Sequence, residues 1–164
     1  MLKKEIERKF LVQNFFPQSN NFVAICQGYL QIRKDRTIRV RTVESSKKMV
    51  GYLTIKKSAE NVSISRDEFE IEIPLTDAEY LLSICQYPLI EKTRYFISFG
   101  DFTWEIDKFC GLNEGLILAE IELERIDQPF AKPDFVGREV TDDKRYYNAL
   151  LAQNPFQTWG KSER

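Results

Sequence analysis

Glu5-Ile6-Glu7-Arg8-Lys9 stands near the start of the chain, and the residues around it continue its alternation. Successive side chains of a β-strand point to opposite faces of a sheet. The alternation therefore predicts a strand over 4–12 with an ionic face formed by Glu5, Glu7 and Lys9. The opposite face carries Ile6 and Phe10 beside Arg8, so that side of the strand is suited to apolar packing.

The same period of two recurs through most of the chain and predicts eight strands. Short polar connections such as Lys34-Asp35 and Gly100-Asp101 are typical of hairpin turns. Eight strands joined in this way favour an antiparallel sheet that closes into a barrel. The predicted strands span residues 4–12, 24–33, 36–44, 50–57, 64–73, 90–99, 102–109 and 117–126.

Two helices interrupt this pattern, which makes the predicted fold class α+β. Thr76-Asp77-Ala78-Glu79 has the spacing of a capping box and predicts a helix that begins at Thr76. A second helix is predicted from Thr141, with carboxylates in its first turn, to the residue before Asn154-Pro155. We therefore expect one domain over 1–154 and a loosely held tail over 155–164.

Composition excludes several classes of protein. The chain has 164 residues and a net charge of −1, so it is long enough for one domain and lacks the basic excess of a nucleic-acid-coating protein. No apolar run approaches the roughly 20 residues of a membrane span. The N-terminus has no apolar signal core, and we expect a cytoplasmic location. Accordingly, neither a nucleic-acid nor a membrane partner is predicted.

The chain contains no His and three widely spaced Cys. Ser-His-Asp and Cys-His nucleophile systems are therefore excluded, as are the usual His-rich zinc sites. An odd number of scattered cysteines also suits a reducing compartment. Any catalysis must use carboxylates, Lys, Arg, Tyr or a metal ion.

The polar faces of the eight strands are almost solidly ionic, and two readings of this fact are open. One is an ordinary sheet with one solvated face. The other is a barrel with a charged lumen and an apolar exterior covered by helices and loops. Because dry burial of ions costs several kcal/mol each, such a lumen must be wet and hold compensating ligands. Basic and acidic groups together would suit a polyanion with divalent cations.

As an ordered set, these residues resemble the CYTH superfamily, the triphosphate tunnel metalloenzymes. The family signature E-x-E-x-K corresponds to Glu5–Lys9. Further family segments follow in order and cover roughly residues 5–150. They are Ile38-Arg39-Val40-Arg41, Thr54-Ile55-Lys56, Phe69-Glu70-Ile71-Glu72, Glu91-Lys92-Thr93-Arg94, Ala119-Glu120-Ile121-Glu122 and the segment 139–146.

The resemblance implies an eight-stranded antiparallel tunnel that binds a triphosphate in its lumen. Lys9, Arg41 and Lys56 are the implied catalytic residues. The implied phosphate-binding residues are Lys9, Arg39, Arg41, Lys56, Lys92 and Arg94, with Lys144 as a lid contact from the last helix. Mg²⁺ or Mn²⁺ would be bound by Glu5, Glu7, Glu120 and Glu122, with a second metal site or water contact at Glu70, Glu72 and Asp107.

Some polar-face residues carry a second interpretation. Tyr29 either shapes the path of the substrate or simply packs. Glu68 and Glu124 are interpreted as rim charges, and Arg33 and Arg66 as groups that only neutralise carboxylates.

The resemblance is greatest to the compact bacterial triphosphatases, so the predicted reaction is hydrolysis of inorganic tripolyphosphate to pyrophosphate and phosphate. Nucleoside or thiamine triphosphatases and class IV adenylate cyclases belong to the same superfamily and remain alternatives. A non-catalytic module that binds polyphosphate or nucleotide is the alternative from another class. The expected partner is a small-molecule triphosphate, and the expected assembly is a monomer or a homodimer.

Overall fold

The computed structural model of the chain describes residues 2–13, 20–58 and 65–160. All eight predicted strands form within these residues, and a ninth short strand follows them. The strands are β1 (Leu2–Val12), β2 (Phe22–Ile32), β3 (Arg36–Glu44), β4 (Met49–Ser58), β5 (Ser65–Ile73), β6 (Ile90–Phe99), β7 (Phe102–Phe109), β8 (Ile117–Glu122) and β9 (Val136–Glu139).

Strand β1 closes the barrel because it pairs with two strands that are distant in sequence. Its first half, as far as Ile6, pairs with β5, and residues from Glu7 to Leu11 pair with β8. The order β1-β5-β4-β3-β2-β6-β7-β8 therefore returns to β1, with every pairing antiparallel. The prediction of a closed eight-stranded antiparallel barrel is confirmed.

Strand β8 is shorter than predicted. It ends at Glu122 rather than at residue 126. The backbone N–H of Glu124 donates to the side-chain oxygen of Gln128 at 2.7 Å, which turns the chain away from the barrel. Glu124 is consequently exposed beyond the strand, as expected for a rim charge.

Strand β9 was absent from the sequence prediction and lies outside the barrel against the second half of β1. It is followed by Thr141, whose hydroxyl oxygen accepts a hydrogen bond from the backbone N–H of Lys9 at 3.0 Å. The backbone N–H of Val140 donates to the Lys9 carbonyl at 2.8 Å. These bonds satisfy the edge of β1 where β5 no longer pairs with it.

The apolar faces of β1, β7 and β8 form a core on the outside of the barrel. Phe10, Trp104, Ile106 and Ile121 are at most 1% exposed there. The rings of Phe10 and Trp104 lie 5.6 Å apart, and Phe130, from the loop before β9, packs against both. Burial of each large apolar side chain stabilises the fold by about 1.5–3 kcal/mol. This arrangement confirms the predicted barrel in which the ionic strand faces line the lumen and the apolar faces lie outside, covered by helices and loops.

Helix α1 (Leu75–Ser83) packs outside β2, β3 and β4, but the predicted capping box is wrong. Pro74 occupies the N-cap position, and its carbonyl accepts from the N–H groups of Asp77 and Ala78. No side chain caps the helix. The backbone φ of Pro74 is −52°, so the helix begins one residue before Thr76 and leaves the Thr hydroxyl outside the capping position.

The second predicted helix is broken in two. A 3₁₀ turn covers Lys144–Tyr146, and helix α2 covers only Asn148–Gln153. Tyr147 between them is extended, and the Asp143 carboxylate accepts the N–H of Arg145, so the first turn of a continuous helix does not form. The predicted end before Asn154-Pro155 is confirmed.

The C-terminal segment, residues 144–160, closes one end of the barrel. We call this end the closed end. Tyr29, Ile90, Phe109 and Leu118 line the barrel there and pack with residues of the C-terminal segment, among them Tyr146, Leu151 and Trp159. Trp159 is 5% exposed, and its ring lies 5.2 Å from that of Tyr146. The expectation of a loosely held tail is therefore wrong for residues 156–159. Within the described residues, no helix has both the length and the apolar character needed to cross a membrane.

Candidate active site

The barrel encloses a cavity of about 190 Å³ whose wall is almost entirely polar. Side chains from β1–β5 and from β6–β8 line it, together with residues 147–149 of the C-terminal segment. Lys3 and Glu122 form an ion pair at its mouth with more than half of each side chain exposed. The lumen is thus charged and accessible, and the alternative of an ordinary solvated sheet face is wrong.

Most of the predicted site residues come together in this cavity. The predicted phosphate-binding residues that line it are Lys9, Arg39, Arg41, Lys56 and Arg94. The predicted metal ligands that line it are Glu5, Glu7, Glu70, Glu120 and Glu122. Tyr29 also lines it and is 4% exposed, and burial raises the pKa of its hydroxyl.

Lys9 joins the carboxylates of β1 and β8. Its ammonium group forms a close ion pair with Glu120 and a second one with Glu7 at 3.3 Å. Burial opposes the charge of Lys9, but Glu120 and Glu7 outweigh it and raise the pKa of Lys9. Burial also disfavours the charge of Glu120, yet Lys9 and Arg94 hold its pKa well below the usual range. Both groups therefore stay ionised in the lumen.

Lys56 joins β1 to β5. Its ammonium nitrogen lies 2.6 Å from a Glu5 carboxylate oxygen and 3.0 Å from one of Glu68. Glu68 is 5% exposed and lines the cavity, so its interpretation as a rim charge is wrong. The strand register explains its position, because Glu68 lies directly opposite Lys56 on β4 and Lys3 on β1.

Arg39 and Arg41 share one carboxylate, that of Glu70. Glu70 accepts two hydrogen bonds from Arg41, both at 3.1 Å, and one from the Thr54 hydroxyl at 2.6 Å. Burial and the adjacent Arg39 lower the pKa of Arg41. The Nε atoms of both arginines are buried without a hydrogen-bond partner among the described residues. This wall therefore holds more positive charge and more donors than Glu70 can satisfy.

Lys92 and Asp107 lie behind the wall and do not line the cavity. Asp107 is fully buried, is paired closely with Lys92, and accepts two hydrogen bonds from Arg94 at 2.7 Å each. Arg94 reaches past Asp107 to Glu120 at 2.8 Å and also contacts Glu105. The contacts of Asp107 thus orient Arg94. The resemblance had instead implied that Asp107 contacts a metal ion or its water.

Two further predicted residues, Glu72 and Lys144, also lie outside the cavity. Glu72 is exposed and faces Tyr52 on β4 at the outer edge of the strand. Lys144 is exposed and lines a separate surface depression with Arg8 and Glu139. The broken C-terminal helix accounts for Lys144, because the 3₁₀ turn presents it away from the lumen.

The carboxylates of β1, β7 and β8 fit a hard divalent cation. Glu7 faces Glu122, and Glu105 faces Glu120, across neighbouring strands. Burial and the charge of Glu120 raise the pKa of Glu7, and burial also raises that of Glu105, so negative charge is crowded at this wall. Within the described part of the chain, no three acidic, Cys or His side chains are gathered around one point. Carboxylate oxygens are nevertheless the ligands that Mg²⁺ takes, and the donor set suits such an ion.

The sequence pattern missed several lining residues. Thr37 and Thr141 are neutral, and Tyr147 and Asn148 come from the C-terminal segment, so none of them belongs to an ionic strand face. Arg66 was interpreted as a neutralising charge, yet it lines the cavity and belongs to none of the ion pairs among the described residues. The period of two in β5 already placed Arg66 on the ionic face. The error was the interpretation that Arg66 only neutralises carboxylates.

Comparisons with known proteins agree with this geometry. The family model described as the CYTH domain matches residues 3–148. An inorganic triphosphatase from Acetivibrio thermocellus is 45% identical over 158 residues, which cover 95% of this chain and 97% of the relative. One from Nitrosomonas europaea is 38% identical over 151 residues, which cover 90% and 96%.

Solved structures give the same result. The crystal structure of an inorganic triphosphatase superposes with a TM-score of 0.65 at 36% identity, covering 90% of this chain and 93% of that one. A putative adenylyl cyclase from Hippeastrum with a dominant triphosphatase activity superposes with a TM-score of 0.54 at 12% identity, covering 74% and 80%. At that identity the likeness shows the fold alone.

Proposed function

The chain belongs to the CYTH family, and on that premise we propose that it hydrolyses inorganic tripolyphosphate to pyrophosphate and orthophosphate inside the barrel. The observation that carries the proposal is the surplus of donors on the Arg39–Arg41 wall, which faces the acidic wall of β1 and β8 across one enclosed cavity. Family relatives named inorganic triphosphatases, similar over nearly their whole length, support it.

The cavity cations would bind the phosphate oxygens by exchanging their present carboxylate partners for them. Arg39 and Arg41 offer planar forks that match two oxygens at once, and their unpartnered Nε–H groups add donors that Glu70 does not use. Lys9 acts as a point charge on the opposite, acidic wall, and Lys56 acts as one on β4, the strand next to that of the arginines. Phosphoryl transfer passes through a loose transition state, so positioning and charge neutralisation supply most of the catalysis.

The proposed metal is Mg²⁺ or Mn²⁺, held by Glu5, Glu7, Glu120 and Glu122. A bound divalent cation would supply Lewis-acid polarisation of phosphate oxygens. The chain's own contribution is to keep these carboxylates ionised and oriented: Lys9 and Arg94 hold Glu120, and Lys56 holds Glu5. Glu70, which the resemblance assigned to a second metal site, has the arginines as partners and is proposed to orient them.

The size of the cavity favours a small inorganic substrate. At about 190 Å³ it lies below the roughly 300–1,000 Å³ that is typical of pockets for drug-sized ligands. A nucleoside or thiamine group would have to remain outside the mouth. The cysteines within the described residues are free thiols, which agrees with the proposed cytoplasmic location.

A phosphate-release panel tests this proposal. Purified protein is incubated with tripolyphosphate, ATP, GTP or thiamine triphosphate, in Mg²⁺ or Mn²⁺, and the products are identified. We expect the highest kcat/KM with tripolyphosphate and release of orthophosphate with pyrophosphate. Cyclic AMP from ATP would instead show a cyclase, and tight binding of tripolyphosphate without turnover would show a binding module.

A further inference from the structure

Arg66 is a cavity cation that forms no ion pair with any carboxylate of the described residues. It lies at the start of β5, directly opposite Glu5 on β1. The Glu5 carboxylate is occupied by Lys56, and the ion pairs of the described residues do not include Arg66. The guanidinium is therefore available to an anion in the cavity that it lines.

The aromatic ring of Tyr147 supports this guanidinium. The central carbon of the Arg66 guanidinium lies 4.6 Å from the ring centroid, which is within the range of a cation–π contact. The Tyr147 hydroxyl donates to the backbone carbonyl of Thr141 at 3.0 Å, so the ring itself is fixed. Stacking on a ring uses the face of the guanidinium and leaves its N–H edges free for hydrogen bonds.

The Arg66–Tyr147 contact lies at the closed end of the barrel. In an antiparallel barrel β5 begins where β4 ends, and Arg66 is one strand step beyond the Glu68–Lys56 pair toward that end. Tyr147, Asn148 and Ala149 form the wall beside it. The side-chain oxygen of Asn148 is buried there without a partner among the described residues.

We propose that Arg66, positioned by Tyr147, binds the terminal phosphate at the closed end and selects substrates whose phosphate at that end is unsubstituted. This inference rests on the proposed function. An unsubstituted terminal phosphate has three non-bridging oxygens and the greater charge, which match the free edge of a guanidinium. A phosphate that carries a nucleoside has fewer free oxygens, and its substituent would have to lie against residues 147–149, which line the cavity beside Arg66.

The proposal predicts that binding depends on how many unsubstituted terminal phosphates a probe has. Tripolyphosphate has two unsubstituted ends and ATP has one, so each can enter with a free phosphate first. A dinucleoside triphosphate has none and should bind weakly. The wild-type protein is therefore expected to prefer tripolyphosphate strongly over the dinucleoside triphosphate, with ATP able to enter and its nucleoside left at the mouth.

The experiment measures the dissociation constants of tripolyphosphate and of diadenosine triphosphate, and kcat and KM for tripolyphosphate, in wild type, Arg66→Ala and Arg66→Lys. A hydrogen bond to a charged group contributes about 1.5–3 kcal/mol, so Arg66→Ala should weaken tripolyphosphate binding by roughly 10- to 100-fold. Binding of the end-blocked probe should change little, and the preference for free ends should shrink accordingly. Arg66→Lys should recover only part of the loss.

Two variants of Tyr147 test whether its ring positions the Arg66 guanidinium. Tyr147→Phe keeps the ring face and should retain the preference for free ends, whereas Tyr147→Ala should lower it. Arg33→Ala, at an exposed arginine beyond β2, is the matched control. Equal weakening of both probes in Arg66→Ala, or no weakening, would overturn the inference while leaving tripolyphosphate hydrolysis intact. Absence of any tripolyphosphate hydrolysis in wild type would overturn the proposed function instead.

Discussion

Arg94 binds Asp107 through one edge of its guanidinium, with Nε and Nη2 each 2.7 Å from a different carboxylate oxygen. Arg94 then extends to Glu120 in the cavity. Asp107 is fully buried, and Arg94 and Lys92 lower its pKa despite that burial. The carboxylate is thus saturated by two cations, and its effect on the cavity passes through the orientation of Arg94.

Replacing Asp107 by Asn should destabilise the fold. Removing one partner of a buried ion pair leaves the other charge uncompensated and costs about 3–5 kcal/mol. The free energy of unfolding, measured by urea titration, should fall by about this amount, whereas Asp101→Asn in the exposed β6–β7 turn should change it little. Unchanged stability together with a loss of Mg²⁺ affinity would show that Asp107 is a metal ligand after all.

Glu120 and Glu72 give a matched pair for the metal assignment. Both occupy the same face in the sequence pattern, but Glu120 lines the cavity and Glu72 is exposed outside it. Glu120→Gln removes a charged oxygen ligand and should lower kcat/KM for tripolyphosphate by about a hundredfold or more, since even partners of metal ligands contribute 10–100-fold. Glu72→Gln should retain nearly full activity. Far-UV circular dichroism must show that both variants are folded, and similar activity of the two would refute the assignment.

The barrel and its ionic face could be predicted because a period of two is a local property of the sequence. The position of a side chain along the barrel axis, by contrast, depends on the register between strands and is not a local property of the sequence. Glu105 and Asp107 share one strand face, but the β7–β8 register places Glu105 opposite Glu120 and Asp107 opposite Leu118. Asp107 is therefore buried in the layer near the closed end, while Glu105 lines the cavity.

The C-terminal segment was the least predictable part for a similar reason. Its apolar residues have helical spacing, yet Tyr147 is extended because its hydroxyl is bound to Thr141 and its ring lies against Arg66. Arg66 comes from another strand, and Thr141 lies in a turn instead of opening the helix, so the helical spacing of the apolar residues does not report either contact. Lys144 was consequently predicted as a lid contact from a continuous last helix, but it lies on the 3₁₀ turn and does not line the cavity.

The stability of the protein should depend on pH through Lys92. Burial, with the neighbouring charge of Arg94, lowers the pKa of Lys92 from its ordinary value of 10.5 to about 8. Between these pH values the unfolded chain binds more protons than the folded one, so this group makes the free energy of unfolding rise as the pH increases. Lys92→Met should lack the rise. The difference between the two proteins in urea titrations at pH 7 and 9.5 isolates this effect, and parallel curves would contradict it.

Gly28 is required for the packing of the chain after α1 against β2. A Cβ at this position would lie 2.5 Å from the Cys85 sulfur and 2.7 Å from a Leu89 methyl carbon. Overpacking of this kind costs about 1–3 kcal/mol, so Gly28→Ala should lower the melting temperature by several degrees. Adding Cys85→Ala removes one of the two contacts and should recover part of the loss in a double-mutant cycle. Additive effects would show that the sulfur does not limit this packing.

The Arg39–Arg41 wall should make the protein more stable when a polyanion is bound. Among the described residues, both guanidinium groups pair with one carboxylate, that of Glu70. Burial and the adjacent Arg39 also lower the pKa of Arg41, so a bound anion would relieve the repulsion between the two cations. Tripolyphosphate with Mg²⁺ at a hundredfold excess over Kd should stabilise the fold by about 2.7 kcal/mol. That corresponds to a rise in melting temperature of roughly 5–10 °C for a chain of this size.

Arg41→Ala should abolish most of this rise, because it removes the guanidinium with two donors on Glu70 and an unused Nε–H. Arg33→Ala is the control, since Arg33 is exposed outside the lumen. Inorganic sulfate should stabilise less than tripolyphosphate, because one small anion cannot span several of the cavity cations. An exposed charged surface would instead give small shifts that salt screens and that both arginine variants alter alike. Equal shifts in Arg41→Ala and Arg33→Ala would therefore place the triphosphate somewhere other than this cavity.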